Sequence, residues 1–77
     1  MDAQSYRERI TVDPDVMLGK PVIKGTRITI ELILKKLSEG MSIEELREAY
    51  PHLTKEDILA ALSYSADVIS QEELIAS

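Results

Sequence analysis

The stretch Thr29-Ile30-Glu31-Leu32-Ile33-Leu34-Lys35-Lys36-Leu37-Ser38-Glu39-Gly40-Met41-Ser42-Ile43-Glu44-Glu45-Leu46 decides the fold class of this chain. Ile30, Ile33, Leu34 and Leu37 recur at the spacing that lines one face of a helix, which predicts a first helix over Thr29–Glu39. Gly40 stands where a helix commonly stops on a left-handed residue. Ser42-Ile43-Glu44-Glu45 then has the form of a capping box, in which Ser42 and Glu45 satisfy each other's free backbone N–H groups, so a second helix opens there. Its inward residues are expected to be Ile43, Leu46 and Tyr50, and Pro51 ends it.

Further along, Thr54-Lys55-Glu56-Asp57 is a third helix start, with acids in the first turn where the helix dipole favours them. The spacing predicts that this helix buries Ile58, Leu62, Ala66 and Ile69, flanked by Leu59 and Ala61. Ser70-Gln71-Glu72-Glu73 either caps a last short turn or is passed through. The connections Gly40-Met41 and Pro51-His52-Leu53 are short, and the second and third helices have helix-turn-helix proportions.

Upstream of the helices the pattern is different. Ile10-Thr11-Val12 ends at the turn signal Asp13-Pro14-Asp15 and is predicted to be a short strand. Pro21-Val22-Ile23-Lys24-Gly25-Thr26-Arg27-Ile28 is expected to form a tight hairpin by itself, with Gly25 supplying a positive φ. This leaves Ile10–Val12 as an unpaired edge, and pairing across a two-fold axis is one way to cover it. Residues 1–9 are polar and are taken as a flexible arm, 10–69 as a single domain, and 70–77 as a tail or helix extension. The predicted fold is mainly α: a three-helix, helix-turn-helix core preceded by a short N-terminal strand and a β-hairpin.

At 77 residues the chain buries about 60% of the surface its unfolded form exposes, and such a core supplies roughly 3–5 kcal/mol. It has no cysteine, so neither disulfides nor thiolate metal sites add to that. Association remains, and a homodimer is the expectation. Met1-Asp2-Ala3-Gln4 does not resemble a signal peptide, and no run approaches the roughly 18 apolar residues of a membrane span; a cytoplasmic protein is expected.

The net charge is −5, which argues against a generic nucleic-acid coat. It is unevenly distributed. Residues 1–30 hold five Lys or Arg against four acids, a balance of +1, and residues 31–77 hold four against ten, a balance of −6. A mildly basic front is joined to an acidic rear.

With those pieces placed, Ile10-Thr11-Val12-Asp13-Pro14 and Gly19-Lys20-Pro21-Val22-Ile23-Lys24-Gly25-Thr26-Arg27-Ile28 closely resemble the hallmark of the prokaryotic family catalogued as domain of unknown function four-three-three. Leu37-Ser38-Glu39-Gly40-Met41-Ser42, Tyr50-Pro51-His52-Leu53-Thr54 and Asp57-Ile58-Leu59-Ala60-Ala61-Leu62 fit the same pattern, so the resemblance covers roughly residues 9–69. It implies a homeodomain-like helix-turn-helix fold, often encoded beside a PIN-like ribonuclease. It also implies the role of a VapB-type antitoxin, which silences that toxin by contact and in many cases binds its own operator.

Two surfaces are candidates for double-stranded DNA. One is the basic set Arg7, Arg9, Lys20, Lys24 and Arg27, since lysine and arginine neutralise phosphates and arginine pairs bidentately with guanine. Its alternative is turn geometry, with Arg27 pairing an acid such as Glu31. The other is the start of the third helix, Thr54 and Lys55 with Asp57 beside them, where a recognition helix reads bases. Its alternative is a plain core helix. For a protein partner the candidates are Glu72, Glu73, Leu74 and Ile75, an acidic and apolar end suited to the basic RNA path of a ribonuclease; the alternative is a frayed terminus.

His52 is a lone histidine in a turn and is expected to face solvent. Glu44/Glu45 and Glu72/Glu73 are adjacent in helices and do not face one another, so they form no acid–base dyad. No phosphate loop and no nucleophile–base constellation is present, and neither an enzyme, a metal site nor a cofactor is expected. The expected function is an antitoxin-like binding protein, with a DNA-binding regulator lacking a toxin, or a structural dimerisation module, as the alternatives.

Overall fold

A computed structural model of the protein describes residues 8–76, with side chains for residues 8–71. The elements run β1 (Ile10–Val12), β2 (Pro21–Ile23), α1 (Ile30–Ser38), α2 (Ile43–Ala49) and α3 (Lys55–Ala76). This is a mainly α fold of three helices and a small antiparallel β unit.

The helices begin and end where local chemistry requires. Thr29 caps α1 by accepting from the N–H of Leu32, and Glu31 near its start and Lys35 and Lys36 near its end both suit the dipole. Past its end the N–H of Gly40 bonds the carbonyl of Leu37 and that of Met41 bonds Lys36, the paired bonds of a Schellman stop. Gly40 takes φ 96° to permit this. The Ser42–Glu45 capping box forms as predicted, with Ser42 N–H donating to Glu45 Oε1 at 2.9 Å and Glu45 N–H to Ser42 Oγ at 3.1 Å. A second such box opens α3, between Thr54 and Asp57. Thereafter α3 passes through Ser70–Glu73 without interruption.

The core is formed by Ile23, Ile30, Ile33, Leu46, Leu53, Ile58 and Ala61, with Leu34, Leu37, Ile43, Tyr50 and Tyr64 packed around them. The stripes predicted for the first two helices are therefore the ones that turn inward. Leu53, placed in a turn by its neighbours, is buried and pins the α2–α3 connection.

Two expectations are corrected. The strand Ile10–Val12 is not unpaired: it lies antiparallel to β2 in the register Ile10↔Ile23, Thr11↔Val22 and Val12↔Pro21. The expected hairpin within residues 21–28 survives only as a return turn, closed by Ile23 N–H to Ile28 O at 2.9 Å and a single bridge Val22↔Thr29. The reason is Thr29, which is already the cap of α1, so the chain leaves the sheet before a third strand can extend. The second correction concerns α3. Ala60 and Ala61 are fully buried, whereas Leu62, Ala66 and Ile69 face outward and Leu62 and Ile69 remain 39% and 53% exposed. Ile58 and Ala61 instead join Ile30 and Ile33 of α1 in the core cluster, and that packing sets the inward face.

Candidate functional site

Arg9 is held at the edge of the sheet. Its carbonyl accepts from the N–H of Lys24, and its guanidinium donates to Asp57 Oδ1 at 3.1 Å. Asp57 is 8% exposed and also accepts from Thr54 N–H at 3.1 Å, so one carboxylate joins the start of the sheet to the start of α3. Thr54 Oγ1 is the reciprocal acceptor from Asp57 N–H. Of the residues named at the start of the third helix, Thr54 and Asp57 are thus engaged in the cap, and Lys55 is exposed.

Lys20 donates to Glu31 Oε1 at 2.9 Å across an exposed surface. The acid sometimes expected for Arg27 is therefore taken by Lys20, because the tight turn before β2 aims Lys20 at the first turn of α1. This hydrogen bond and the lysine's charge, with Lys35 adding to them, hold the Glu31 carboxyl below its ordinary value of 4.5. Lys24 and Arg27 are exposed on either side of the Gly25 turn and make no ion pair among the described residues. The structure thus does not gather the basic candidates into one patch: two are tied to acids and two stand on the turn. Arg7 lies outside the described residues. Glu72, Glu73, Leu74 and Ile75 continue the backbone of α3, and their side chains lie outside the described set. His52 is exposed in its turn.

Three apolar features were not legible as such. The first is the turn Met17-Leu18-Gly19, whose φ values of 49°, 59° and 79° place three successive residues in the left-handed region. Gly19 N–H donates to Val16 O and Lys20 N–H to Met17 O, both at 3.1 Å, which locks the turn. Leu18 is lifted to 94% exposure at its tip. For residues with a Cβ this backbone costs about 1–2 kcal/mol each. The second is a hollow of about 360 Å³ between α1 and the outer part of α3, lined mainly by Pro21, Ile30, Leu34, Tyr64, Val68 and Ile69. The Lys20–Glu31 pair separates turn from hollow, since Glu31 lines both this hollow and the shallow one beside Met17. The third is the outward stripe Leu62, Ala66 and Ile69 on α3.

Among the described residues no group of three or more His, Asp or Glu is placed to hold a metal ion. No described helix is long and apolar enough to cross a membrane.

The comparisons with known proteins follow the same outline. The chain is 36% identical over 64 residues to the uncharacterized protein y4eO of Sinorhizobium fredii, an alignment covering 83% of this chain and 29% of that one. The chain thus spans under a third of the length of that relative. A short stretch of 24 residues, 31% of this chain, is 67% identical to an uncharacterized protein of Archaeoglobus fulgidus and covers 67% of it. A crystal structure of a DUF433 member protein from Anabaena variabilis superposes with a TM-score of 0.78 at 32% identity, over 96% of this chain and 74% of that one. The model of the family described as "Protein of unknown function (DUF433)" matches residues 10–65, most of the chain, and the chain belongs to that family.

Proposed function

We propose that this chain is an antitoxin-like binding protein, one that silences a cognate PIN-like ribonuclease by lying against it. The observation that carries the reading is the outward stripe Leu62, Ala66 and Ile69, on a helix that runs on past the core into an acidic end. An apolar ridge on a helix is suited to a groove on a partner. The surplus of acids over residues 31–77 suits a partner with a basic RNA path, toward which it speeds encounter. Leu62, Ala66 and Ile69 lie outside the core cluster, which α3 joins through Ile58, Ala61 and Tyr64, so the ridge can dock without unfolding what supports it.

The test is co-expression of the full chain with a PIN-like ribonuclease encoded beside it. The expected result is co-purification and loss of ribonuclease activity, both weakened by Ala66→Arg, which sets a long cation on the exposed ridge. Unimpeded ribonuclease activity in the presence of the folded wild-type chain would overturn the reading.

A second reading, an operator-binding regulator, is favoured by Lys24 and Arg27, the exposed cations of the Gly25 turn. It requires promoter binding that weakens steeply with salt, with a slope set by the phosphates neutralised. Lys24→Gln/Arg27→Gln lowers that slope by about two if both touch phosphate.

A further inference from the structure

The geometry points to a homodimer in which the free edge of β1 pairs antiparallel with β1 of a second copy, about a two-fold axis through Thr11. The sheet has two strands, and the far side of β2 is already taken by the return to Thr29. The other edge, that of β1, is met by no described strand.

The backbone shows which groups stand on that edge. Lys24 N–H donates to Arg9 O at 2.7 Å, and bonded pairs alternate along an antiparallel ladder. Thr11 therefore bonds Val22, while the N–H and C=O groups of Ile10 and Val12 point away from β2. Pro21, opposite Val12, has no N–H to offer it. An open row of this kind is a template for another strand.

The segment Arg9-Ile10-Thr11-Val12-Asp13 selects a second copy, because it complements itself when reversed. With Thr11 on the axis, Ile10 and the partner's Val12 exchange both N–H···O bonds, and the symmetric pair does the same. Val12, 57% exposed, comes to lie beside Ile10, which packs on the core. Arg9 stands opposite the partner's Asp13, and its guanidinium has N–H groups beyond the one given to Asp57. Opposite charges thus meet twice in a chain whose net charge is −5. The neighbouring registers lose this match. An axis at Ile10 sets Val12 against the partner's Glu8, and one at Val12 sets Ile10 against the partner's Pro14, which lacks an N–H. The edge belongs to β1 and not to the α3 ridge, so the dimer does not rest on the antitoxin reading.

Sedimentation equilibrium of the full chain over a wide concentration range tests it, and wild-type protein is expected to dimerise. Val12→Pro removes an outward N–H without touching the bonds to β2. It is expected to weaken association about 25-fold, taking ~5-fold for each of the two hydrogen bonds lost per dimer. Asp13→Asn keeps the oxygen that accepts from Asp15 N–H and removes the charge facing Arg9. It is expected to weaken the dimer by a smaller factor that shrinks with added salt. Far-UV circular dichroism shows that each variant is folded. The register is read by Thr11→Cys in this cysteine-free chain. Across the axis the two Cα atoms lie about 4.5 Å apart, within disulfide range. This variant is expected to form a disulfide-linked dimer in a glutathione buffer that leaves Glu48→Cys, on the exposed side of α2, unlinked. A wild-type chain that stays monomeric, because residues 1–7 or another protein's strand cover the edge, overturns the proposal. So does a dimer indifferent to Val12→Pro, or one in which Thr11→Cys links no better than Glu48→Cys.

Discussion

Replacing Leu18 by glycine should make the isolated subunit more stable although it removes a large apolar side chain. At φ 59° a residue with a Cβ sits about 1–2 kcal/mol above its relaxed backbone, and glycine does not. Glycine gives back about 0.5–1 kcal/mol through the greater freedom of the unfolded chain. No burial is lost, because the side chain is 94% exposed. The balance is a gain of about 0.5–1 kcal/mol, or roughly 2–8 °C in Tm for a domain of this size. Urea unfolding at concentrations too low for association reads this directly. Leu18→Ala is the control: it keeps the Cβ in the left-handed region and should change monomer stability by less than about 0.5 kcal/mol. A glycine variant less stable than wild type would refute the reasoning, because Leu18 would then contribute contacts within its own subunit that exceed the backbone cost.

Asp57→Ala removes the acceptor shared by Thr54 N–H and Arg9, and should cost about 1–3 kcal/mol in urea unfolding. Asp57→Asn keeps an oxygen for the cap and should cost less. Leu46→Ala empties a fully buried site and should cost about 2–5 kcal/mol, read as loss of helical circular dichroism at room temperature. The Glu45 carboxyl is held below its ordinary value of 4.5 by the backbone N–H of Ser42 and then by the Ser42 side chain. A lowered folded pKa gives stability that is present above pH 4.5 and lost as pH falls through the folded value, so the urea midpoint of Glu45→Gln should fall less on acidification than that of wild type.

What could be read from the sequence was what short-range chemistry fixes. The first helix, its stop at Gly40 and the Ser42–Glu45 box depend on residues within a turn of one another, and all three are found as expected. The partner of Ile10–Val12 depended on where α1 starts, so a self-contained hairpin looked equally good until Thr29 was seen to be a cap. In α3 the sequence holds two overlapping apolar stripes, one through Ile58 and Ala61 and one through Leu62, Ala66 and Ile69. Periodicity cannot rank them; the packing of Ile58 and Ala61 with Ile30 and Ile33 of α1 does. For the site, the basic residues were identified by type, but their pairing with Glu31 and Asp57 spans 11 and 48 positions and has no local signature. The left-handed turn was hidden for another reason. Met17 and Leu18 are residue types that ordinarily avoid that backbone, and only Gly19 hinted at it.

The length of α3 carries the helix well beyond the part that packs in the core. Its opening turns carry the fold, through Asp57, Ile58 and Ala61, and the family match ends at residue 65, close to where the helix parts from that scaffold. Substitutions on the outlying turns therefore leave the foundations untouched. If the proposed docking ridge is used, a few outer positions can be rewritten to suit another companion without disturbing the fold, much as keys cut from one blank differ only at the bit.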